Sequence, residues 1–136
     1  MAFRIQRADY YYATIADLPE RGAKVLSDLA EGGVNLLAFS AVPSGIRTEL
    51  TLFAADDTKL EAVARRGGLR LDGPHPALLV QGDDELGALA RIHGQLANAD
   101  VAIFASSGVT DGRGAFGYVV YVRAADIGKA EAALGL

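Results

Sequence analysis

The sequence predicts an α+β protein built from two copies of one βαββαβ unit. In each copy the sheet is antiparallel and both helices lie on one face of it. Three observations lead to this prediction: an internal repeat, the order of strand-like and helix-like segments, and breaks rich in Gly or Pro between those segments. The chain has 136 residues, a length that suits two very small units.

The internal repeat is clearest in the first helix of each copy. When Asp17 is aligned with Asp84, Leu29-Ala30 falls on Leu96-Ala97. Later in the chain the alignment shifts by three residues, and this insertion falls within the Gly-rich segment 107–114. The shifted alignment matches Ala55-Asp56 with Ala125-Asp126, Lys59 with Lys129, and Glu61-Ala62 with Glu131-Ala132. A hairpin loop tolerates such an insertion well, which supports duplication of one unit.

The first copy alternates between strand and helix patterns. Tyr10 to Asp17 is rich in aromatic and β-branched residues, which favour a strand. Asp17 can cap the helix that follows, and Pro19 suits the first turn of that helix. The helix ends at Gly32-Gly33 and carries an apolar stripe of Gly22, Val25, Leu26 and Leu29. The other predicted elements are strand 34–42, strand 46–54, helix 58–66 and a short closing strand 69–71.

The second copy follows a predicted linker at residues 73–76, where His75 lies between two prolines. The predicted organisation is therefore an N-terminal strand 1–9, a first repeat 10–72, the linker, and a second repeat 77–136. Elements predicted in the second repeat are strand 77–81, helix 85–98, strand 101–107, strand 116–123 and helix 126–134. No fourth strand follows the last helix, so we expect Phe3 to Arg7 to complete this sheet and cover its edge.

One layer of helices covers only one face of a sheet, so the other face requires a partner. That partner is either the other repeat or a second chain. We expect a homodimer to be the smallest assembly.

Composition and charge limit the function classes. The formal net charge is −4 and the pI is about 5.1, so the sequence predicts no broad positive surface for nucleic acid or for anionic membranes. There is no cysteine, which excludes disulfides, thiol catalysis and Cys-ligated metals. No apolar run approaches the ~18 residues of a membrane span. The N-terminus lacks the apolar core of a signal peptide. We therefore expect a cytoplasmic protein without a cofactor.

Several segments resemble a known family. Asp17 to Ala23, followed by Gly32 to Leu36, resembles the opening of an ACT domain, and Asp84 to Ala90 resembles a second one. Segments 35–39, 81–88 and 106–112 are similar to small bacterial proteins that consist of two ACT repeats. The resemblance covers residues 10–134 and implies tandem ACT domains with the ferredoxin-like fold.

The resemblance to ACT domains also implies a function. Such domains are regulatory rather than catalytic, and they bind a small ligand, most often an amino acid, at an interface between paired domains. Their ligand lies against the loop between the first strand and the first helix, where helix N–H groups attract a carboxylate. The resemblance therefore assigns ligand binding to Asp17, Leu18, Pro19, Glu20, Arg21, Gly22, Asn35, Asp83, Asp84, Glu85, Leu86 and Gly87.

The implied roles are not equally well matched. Asp17 or Asp84 would pair with a ligand ammonium group, and Asn35 would hydrogen-bond its polar atoms. Glu20 stands where the family usually has glycine, and Ala102 stands where it usually has asparagine. Because no catalytic domain accompanies the repeats, any protein that they regulate is expected to be a separate partner.

Other interpretations stay open. Asp17 and Asp84 can simply cap helices. The chain can be a protein–protein assembly module that binds no small ligand. A more remote alternative is RNA binding, because segment 113–121 resembles the aromatic strand of RRM domains. We instead expect Phe116 and Tyr118 to pack at an inter-repeat or dimer surface.

The sequence contains no recognisable catalytic or metal-binding constellation. His75 and His93 lie far apart in the sequence, and no Glu-rich cluster accompanies them. No spacing places a base beside a nucleophile. We therefore expect neither a metal site nor an active site.

Overall fold

A computed structural model describes residues 3–136, which form two compact units. The first unit comprises residues 9–75, and the second comprises residues 76–136 together with the described residues 3–8. Positions 1 and 2 of the predicted N-terminal strand lie outside the described residues.

The described residues form six strands and four α-helices. In chain order these are β1 (Phe3–Ala16), α1 (Pro19–Glu31), β2 (Leu36–Ser44), β3 (Arg47–Ala54), α2 (Asp57–Gly67), β4 (Asp72–Asp83), α3 (Ala88–Asn98), β5 (Ile103–Thr110), β6 (Ala115–Val122) and α4 (Ile127–Ala133), the last preceded by a 3₁₀ turn Ala124–Asp126. The first unit has the strand order β2-β3-β1-β4 and the second has β1-β4-β6-β5. The predicted α+β class with βαββαβ units is confirmed.

Side-chain alternation along the strands builds the core of the first unit. The antiparallel register pairs Tyr11 with Leu52 and Ala13 with Leu50, so these side chains and that of Ile15 share one face of the sheet. Both helices of the unit cover this face with Val25, Leu29, Leu60 and Val63. The predicted apolar stripe of α1 is therefore only partly correct, because Leu26 is exposed.

The core of the second unit is built in the same way. The register pairs Val80 with Tyr118 and Leu78 with Val120, and Phe116 lies on the same face. The covering residues from α3 and α4 are Ile92, Leu96 and Ala130. The expectation that Phe116 and Tyr118 pack at an inter-repeat or dimer surface is therefore wrong. Both rings are buried beneath the helices, because the register places them on the same face of the sheet as Leu78 and Val80.

The N-terminal segment 3–8 lies beside β4 in the second unit. Phe3 and Ile5 pack against the core, and the Phe3 ring contacts the Phe116 ring edge-on with centroids 5.8 Å apart. Arg4 Nη2 donates to Gln81 Oε1 at 2.5 Å. Within this unit, β1 occupies one edge of the sheet and β5 occupies the other.

Residues 73–76, predicted to be a linker, are part of β4, and the predicted strand 69–71 is a loop. In the first unit this part of β4 is an edge strand, where proline is tolerated because no ladder hydrogen bond is lost. Gly73 is required there, because a Cβ atom would lie 2.8 Å from the Tyr10 carbonyl oxygen. In the loop, the Leu69 amide donates to the Ala64 carbonyl at 2.9 Å.

The face of the first sheet opposite the helices carries an aromatic cluster. Tyr10 contacts Tyr12, Phe53 and His75, with ring centroids 5.2, 5.1 and 5.4 Å away. Tyr10 and Phe53 are buried within the single chain. The corresponding face of the second sheet buries Ala77, Leu79 and Val119. These side chains therefore need no second chain to remove them from solvent.

Acidic groups meet where β1 packs against α2. Tyr11 donates its hydroxyl to Glu61 Oε1 at 2.6 Å, and burial together with this carboxylate raises the pKa of Tyr11. Asp57 Oδ1 is buried and has no hydrogen-bond partner among the described residues. Burial raises the pKa of Asp57, and the nearby carboxylates of Asp9, Glu61 and Asp56 raise it further.

Gly32 provides a test of the packing between α1 and α2. A Cβ atom at Gly32 would lie 2.1 Å from the Val63 methyl carbon, whereas a Cβ at Gly22 meets nothing within 4 Å. We expect Gly32→Ala to lower the free energy of unfolding by about 1–3 kcal/mol through overpacking. Gly22→Ala should instead raise it by about 0.5–1 kcal/mol, because alanine favours a helix. Urea denaturation measures the free energy of unfolding of both variants. Equal changes in the two variants would contradict the close packing at Gly32.

Asp57 provides a test of the acidic cluster. Because its pKa in the folded state is raised from 3.8, the folded chain holds a proton that the unfolded chain loses. The contribution of Asp57 to stability is therefore fully present below its unfolded pKa and is lost as pH rises through its folded pKa. Asp57→Asn should remove this decline and be more stable than the wild type at neutral pH. Denaturation curves from about pH 4 to pH 7 give the free energy of unfolding of both proteins. An equal dependence of this free energy on pH in the two proteins would contradict the prediction.

Candidate functional site

The loop before α3 differs from its predicted form. The helix begins at Ala88 rather than Glu85, and its N-cap is Gly87 in the left-handed conformation, with φ 84°. Neither Asp84 nor Glu85 caps the helix through its side chain. Instead, the Glu85 carbonyl accepts from the Ala88 amide at 3.1 Å, which forms a turn over residues 85–87. The prediction that Asp84 caps this helix is therefore wrong, and a positive φ at Gly87 explains why glycine is present.

This loop forms one wall of a cleft of about 570 Å³, which we call the α3 cleft. Its lining combines the loop, the first turn of α3, the end of β5 and one core ring: Asp84, Glu85, Leu86, Gly87, Ala88, Leu89, Ala90, Gly108, Val109, Thr110 and Phe116. Four residues predicted from the sequence, Asp84 to Gly87, are therefore brought together here. Residues 108–110, at the end of β5, belong to the Gly-rich segment 107–114.

The first turn of α3 presents hydrogen-bond donors to this cleft. The amides of Ala88 and Arg91 are engaged by the carbonyls of Glu85 and Gly87, at 3.1 and 3.0 Å. The amides of Leu89 and Ala90 have no acceptor within residues 3–136. Two unpaired N–H groups and the positive end of the helix dipole therefore meet at one point, an arrangement that favours a carboxylate.

The rest of the α3 cleft is largely apolar and accessible. Leu86 is fully exposed, and Val109 and Leu89 are 74% and 43% exposed. Asp84 and Glu85 provide the carboxylates among the lining residues. The cleft therefore combines unpaired amides, an apolar surface and two acidic groups.

A second cleft of about 580 Å³ adjoins the first and shares Val109, Thr110 and Phe116 with it. The predicted residue Asp83 lines this second cleft, as does Arg4.

The hairpin between the two clefts is held by Asp111. The Asp111 carboxylate accepts from the amides of Arg113 and Ala115, at 2.6 and 3.1 Å. These backbone hydrogen bonds lower the pKa of Asp111. The Asp111 side chain thus fixes the backbone conformation of the turn at the hairpin tip.

The corresponding loop of the first unit is arranged differently. The N-cap of α1 is Leu18, not Asp17, and the Asp17 carboxylate accepts from the Thr48 hydroxyl at 3.3 Å. The capping interpretation of Asp17 is therefore wrong as well. Pro19 occupies the first turn, as predicted, and has no N–H, while the Arg21 amide donates to the Leu18 carbonyl at 3.0 Å. The amides of Glu20 and Gly22 have no acceptor within the described residues, so this helix end leaves two donors unpaired, as α3 does.

The remaining predicted residues of the first unit are scattered. Asn35 is exposed between α1 and β2, and its carbonyl accepts from the Ala55 amide at 2.9 Å. Glu20 is exposed, and Gly22 is partly buried. Of residues 17–22, Arg21 alone lines a cleft of about 510 Å³ in this unit. Arg47 and Arg70 of the same cleft were not predicted, because they are far apart in the sequence.

The two histidines have different surroundings. His93 Nε2 hydrogen-bonds the Tyr118 hydroxyl, whereas His75 Nε2 is buried, lies 3.4 Å from Asp72 Oδ1 and makes no hydrogen bond within the described residues. Among residues 3–136, no group of three or more His, Asp or Glu side chains is arranged to hold a metal ion. In the same part of the chain, no helix has the length and apolar character needed to cross a membrane.

Comparison with solved structures identifies the fold. No protein-family model matches the chain, and no curated protein matches its sequence. Protein BT0572 from Bacteroides thetaiotaomicron is similar, with 17% identity, a TM-score of 0.83, and coverage of 96% of this chain and 88% of that one. The regulatory subunit of aspartate kinase from Thermus thermophilus matches with 18% identity, a TM-score of 0.66, and coverage of 98% and 95%.

A further regulatory subunit of aspartate kinase, from Thermus flavus, has 19% identity and a TM-score of 0.62, with coverage of 98% of this chain and 93% of that one. These likenesses extend over nearly the whole chain and establish the ACT-like, ferredoxin-type α+β fold predicted from the sequence. At these identities they establish the fold alone.

Proposed function

We propose that this protein is a non-catalytic regulatory protein that binds a small amino acid in the α3 cleft. The observation that carries the proposal is the pair of unpaired amides, Leu89 and Ala90, which lie in a cleft lined by the predicted residues 84–87. A ligand carboxylate would accept from these two amides. The positive end of α3 would favour the same negative charge.

The other lining residues suit the remaining parts of an amino acid. Asp84 and Glu85 can accept hydrogen bonds from an ammonium group. Leu86, Leu89 and Val109 offer apolar surface to a side chain, and burying that surface contributes about 25 cal/mol per Å². The cleft therefore offers a complementary group to the carboxylate, to the ammonium group and to the side chain of an apolar amino acid.

A regulatory role is supported by the similar structures and by the chemistry of the chain. The Thermus thermophilus and Thermus flavus proteins are named as regulatory subunits of aspartate kinase. Within residues 3–136, the cleft brings together backbone amides, carboxylates and apolar side chains, with no histidine or lysine in its lining. Such a set suits a ligand that carries an anionic, a cationic and an apolar part.

A second candidate function is that of an assembly module, and the exposed sheet edges favour it. In the first unit the edge strand β2 exposes Leu37, Phe39 and Val42. In the second unit the edge strand β5 exposes Phe104 and Val109. Exposed apolar edges are typical of strands that pair with another chain, such as a second copy in a homodimer or a regulated partner.

RNA binding loses its physical basis in the structure. The aromatic residues of β6 that suggested it, Phe116 and Tyr118, are buried under α3 and α4. Bases cannot stack on rings that face a helix layer.

A charge placed at Ala90 tests the proposal. Ala90 is the third residue of α3 and is exposed, so Ala90→Glu should preserve or slightly raise stability through the helix dipole. The new carboxylate should weaken binding of the ligand by about tenfold or more. The neutral Ala90→Gln is the matched control and should weaken binding much less. A thermal-shift screen of the twenty amino acids identifies the ligand, and calorimetry then measures its Kd.

The two candidate functions give different results in this screen. If no amino acid stabilises the wild type, the ligand-binding proposal fails and the assembly module gains support. If an amino acid binds but Ala90→Glu and wild type have equal Kd values, the ligand lies elsewhere. Sedimentation analysis of the wild type tests the homodimer directly.

A further inference from the structure

We propose that the first unit carries a separate site for a small molecule with two carboxylates and one ammonium group, such as an acidic amino acid. The site is the cleft of about 510 Å³, which we call the arginine cleft. Its lining residues that matter for recognition are Arg21, Arg47, Arg70, Glu49, Asp72 and Tyr12. The proposal does not rest on the α3 cleft, because the two clefts belong to different units and share no residue.

The fold holds two of these charged side chains in a fixed register. Arg47 begins β3 and pairs with Ala16, the last residue of β1. Glu49 lies two residues further along β3 and pairs with Thr14. Residues two apart on a strand point to the same side of the sheet, so Arg47 and Glu49 share one face.

The loop after α2 holds the third arginine. Arg70 lies between Leu69 and Leu71, and both leucines pack against the core of the unit. The Leu69 amide also donates to the Ala64 carbonyl at 2.9 Å, directly after the left-handed cap Gly68. The backbone at Arg70 is therefore anchored on both sides, while its side chain is exposed at the cleft.

The arginines of this cleft are unpaired. Elsewhere in the chain, Lys24 pairs with Asp28 at 3.1 Å and Arg123 pairs with Asp126 at 2.8 Å. Within the described residues, Arg21, Arg47 and Arg70 have no carboxylate within salt-bridge distance, although the chain as a whole has a net charge of −4. Three like charges around one small cleft repel each other, and a bound anion would relieve that repulsion.

The balance of charges around the cleft selects the ligand class. A guanidinium group presents parallel N–H donors that match a carboxylate, so arginines suit two carboxylates better than lysines would. Glu49 and Asp72 add two negative charges to the lining, which an ammonium group would neutralise. Inorganic phosphate lacks a cationic group and would leave both carboxylates facing an anion. An acidic amino acid, with net charge −1, complements the single excess positive charge of the lining.

Calorimetry at low ionic strength tests the proposal, since salt screens exposed charges. The probes are L-aspartate, L-glutamate, their amides L-asparagine and L-glutamine, and inorganic phosphate. We expect an acidic amino acid to bind with a Kd about tenfold or more below that of its amide and that of phosphate. Absence of binding by both acidic amino acids at millimolar concentration would overturn the proposal, as would equally tight binding of phosphate.

Variants place the binding within the arginine cleft. Arg70→Gln should raise the Kd for the acidic amino acid about tenfold. It should also leave the melting temperature of the free protein unchanged or raise it, because one repelling charge is removed. Arg47→Gln is a second variant with the same expected effects.

The matched controls are chosen to separate the two clefts. Arg65→Gln removes an exposed arginine from the last turn of α2 that does not line the arginine cleft, and it should leave the Kd unchanged. Ala90→Glu, in the α3 cleft, should also leave it unchanged. Binding that survives both cleft variants but is lost in Ala90→Glu would overturn the proposal and assign the acidic amino acid to the α3 cleft.

Discussion

In each unit two helices pack against one face of a four-stranded sheet, and this packing fixes where the helix ends and the clefts lie. Alternation along the strands places Leu78 and Val80 on the same face as Tyr118, and Ile92 and Leu96 of α3 cover that face. Once this face is fixed, the start of α3 is fixed as well, because the helix cannot rotate or slide without exposing Ile92. The unpaired amides of its first turn are thereby held beside the end of β5.

Much of the architecture is readable from the sequence, because it rests on periodic patterns. The repeat, the apolar stripes and the glycine stops of α1 and α2 identify the βαββαβ units. Features that depend on single backbone angles or on strand neighbours are not readable in this way. Asp84 has the chemistry of a helix cap, yet the left-handed Gly87 takes that position. The prolines at 74 and 76 indicate a linker, yet as part of an edge in the first unit the segment starting at Asp72 is compatible with a strand.

The candidate sites illustrate the same division. Residues 84–87 were predicted as a group, since they are contiguous and follow a strand. Arg21, Arg47 and Arg70 were not, because they are distant in sequence and meet only through the β1–β3 register and the anchored loop after α2. The two repeats have also diverged at equivalent loops. Each helix end leaves two amides without an acceptor within residues 3–136. In α3 they belong to Leu89 and Ala90, which line the α3 cleft, whereas at the start of α1 Arg21 lines the arginine cleft. The duplicated units therefore share a frame, while the residues that line their clefts differ.

If the amides of Leu89 and Ala90 receive a ligand carboxylate as proposed, the NMR resonances of these two amides respond to the ligand. In a ¹⁵N-labelled sample titrated with the amino acid that stabilises the protein, both amide protons should shift downfield, since a new acceptor deshields the donor. Smaller changes should follow in the neighbouring hairpin residues 108–110. The amides of Glu20 and Gly22 in α1 should remain unchanged. Saturable shifts confined to α1, or unchanged resonances at residues 89 and 90 in a protein that clearly binds the ligand, would show that the carboxylate does not bind at the start of α3.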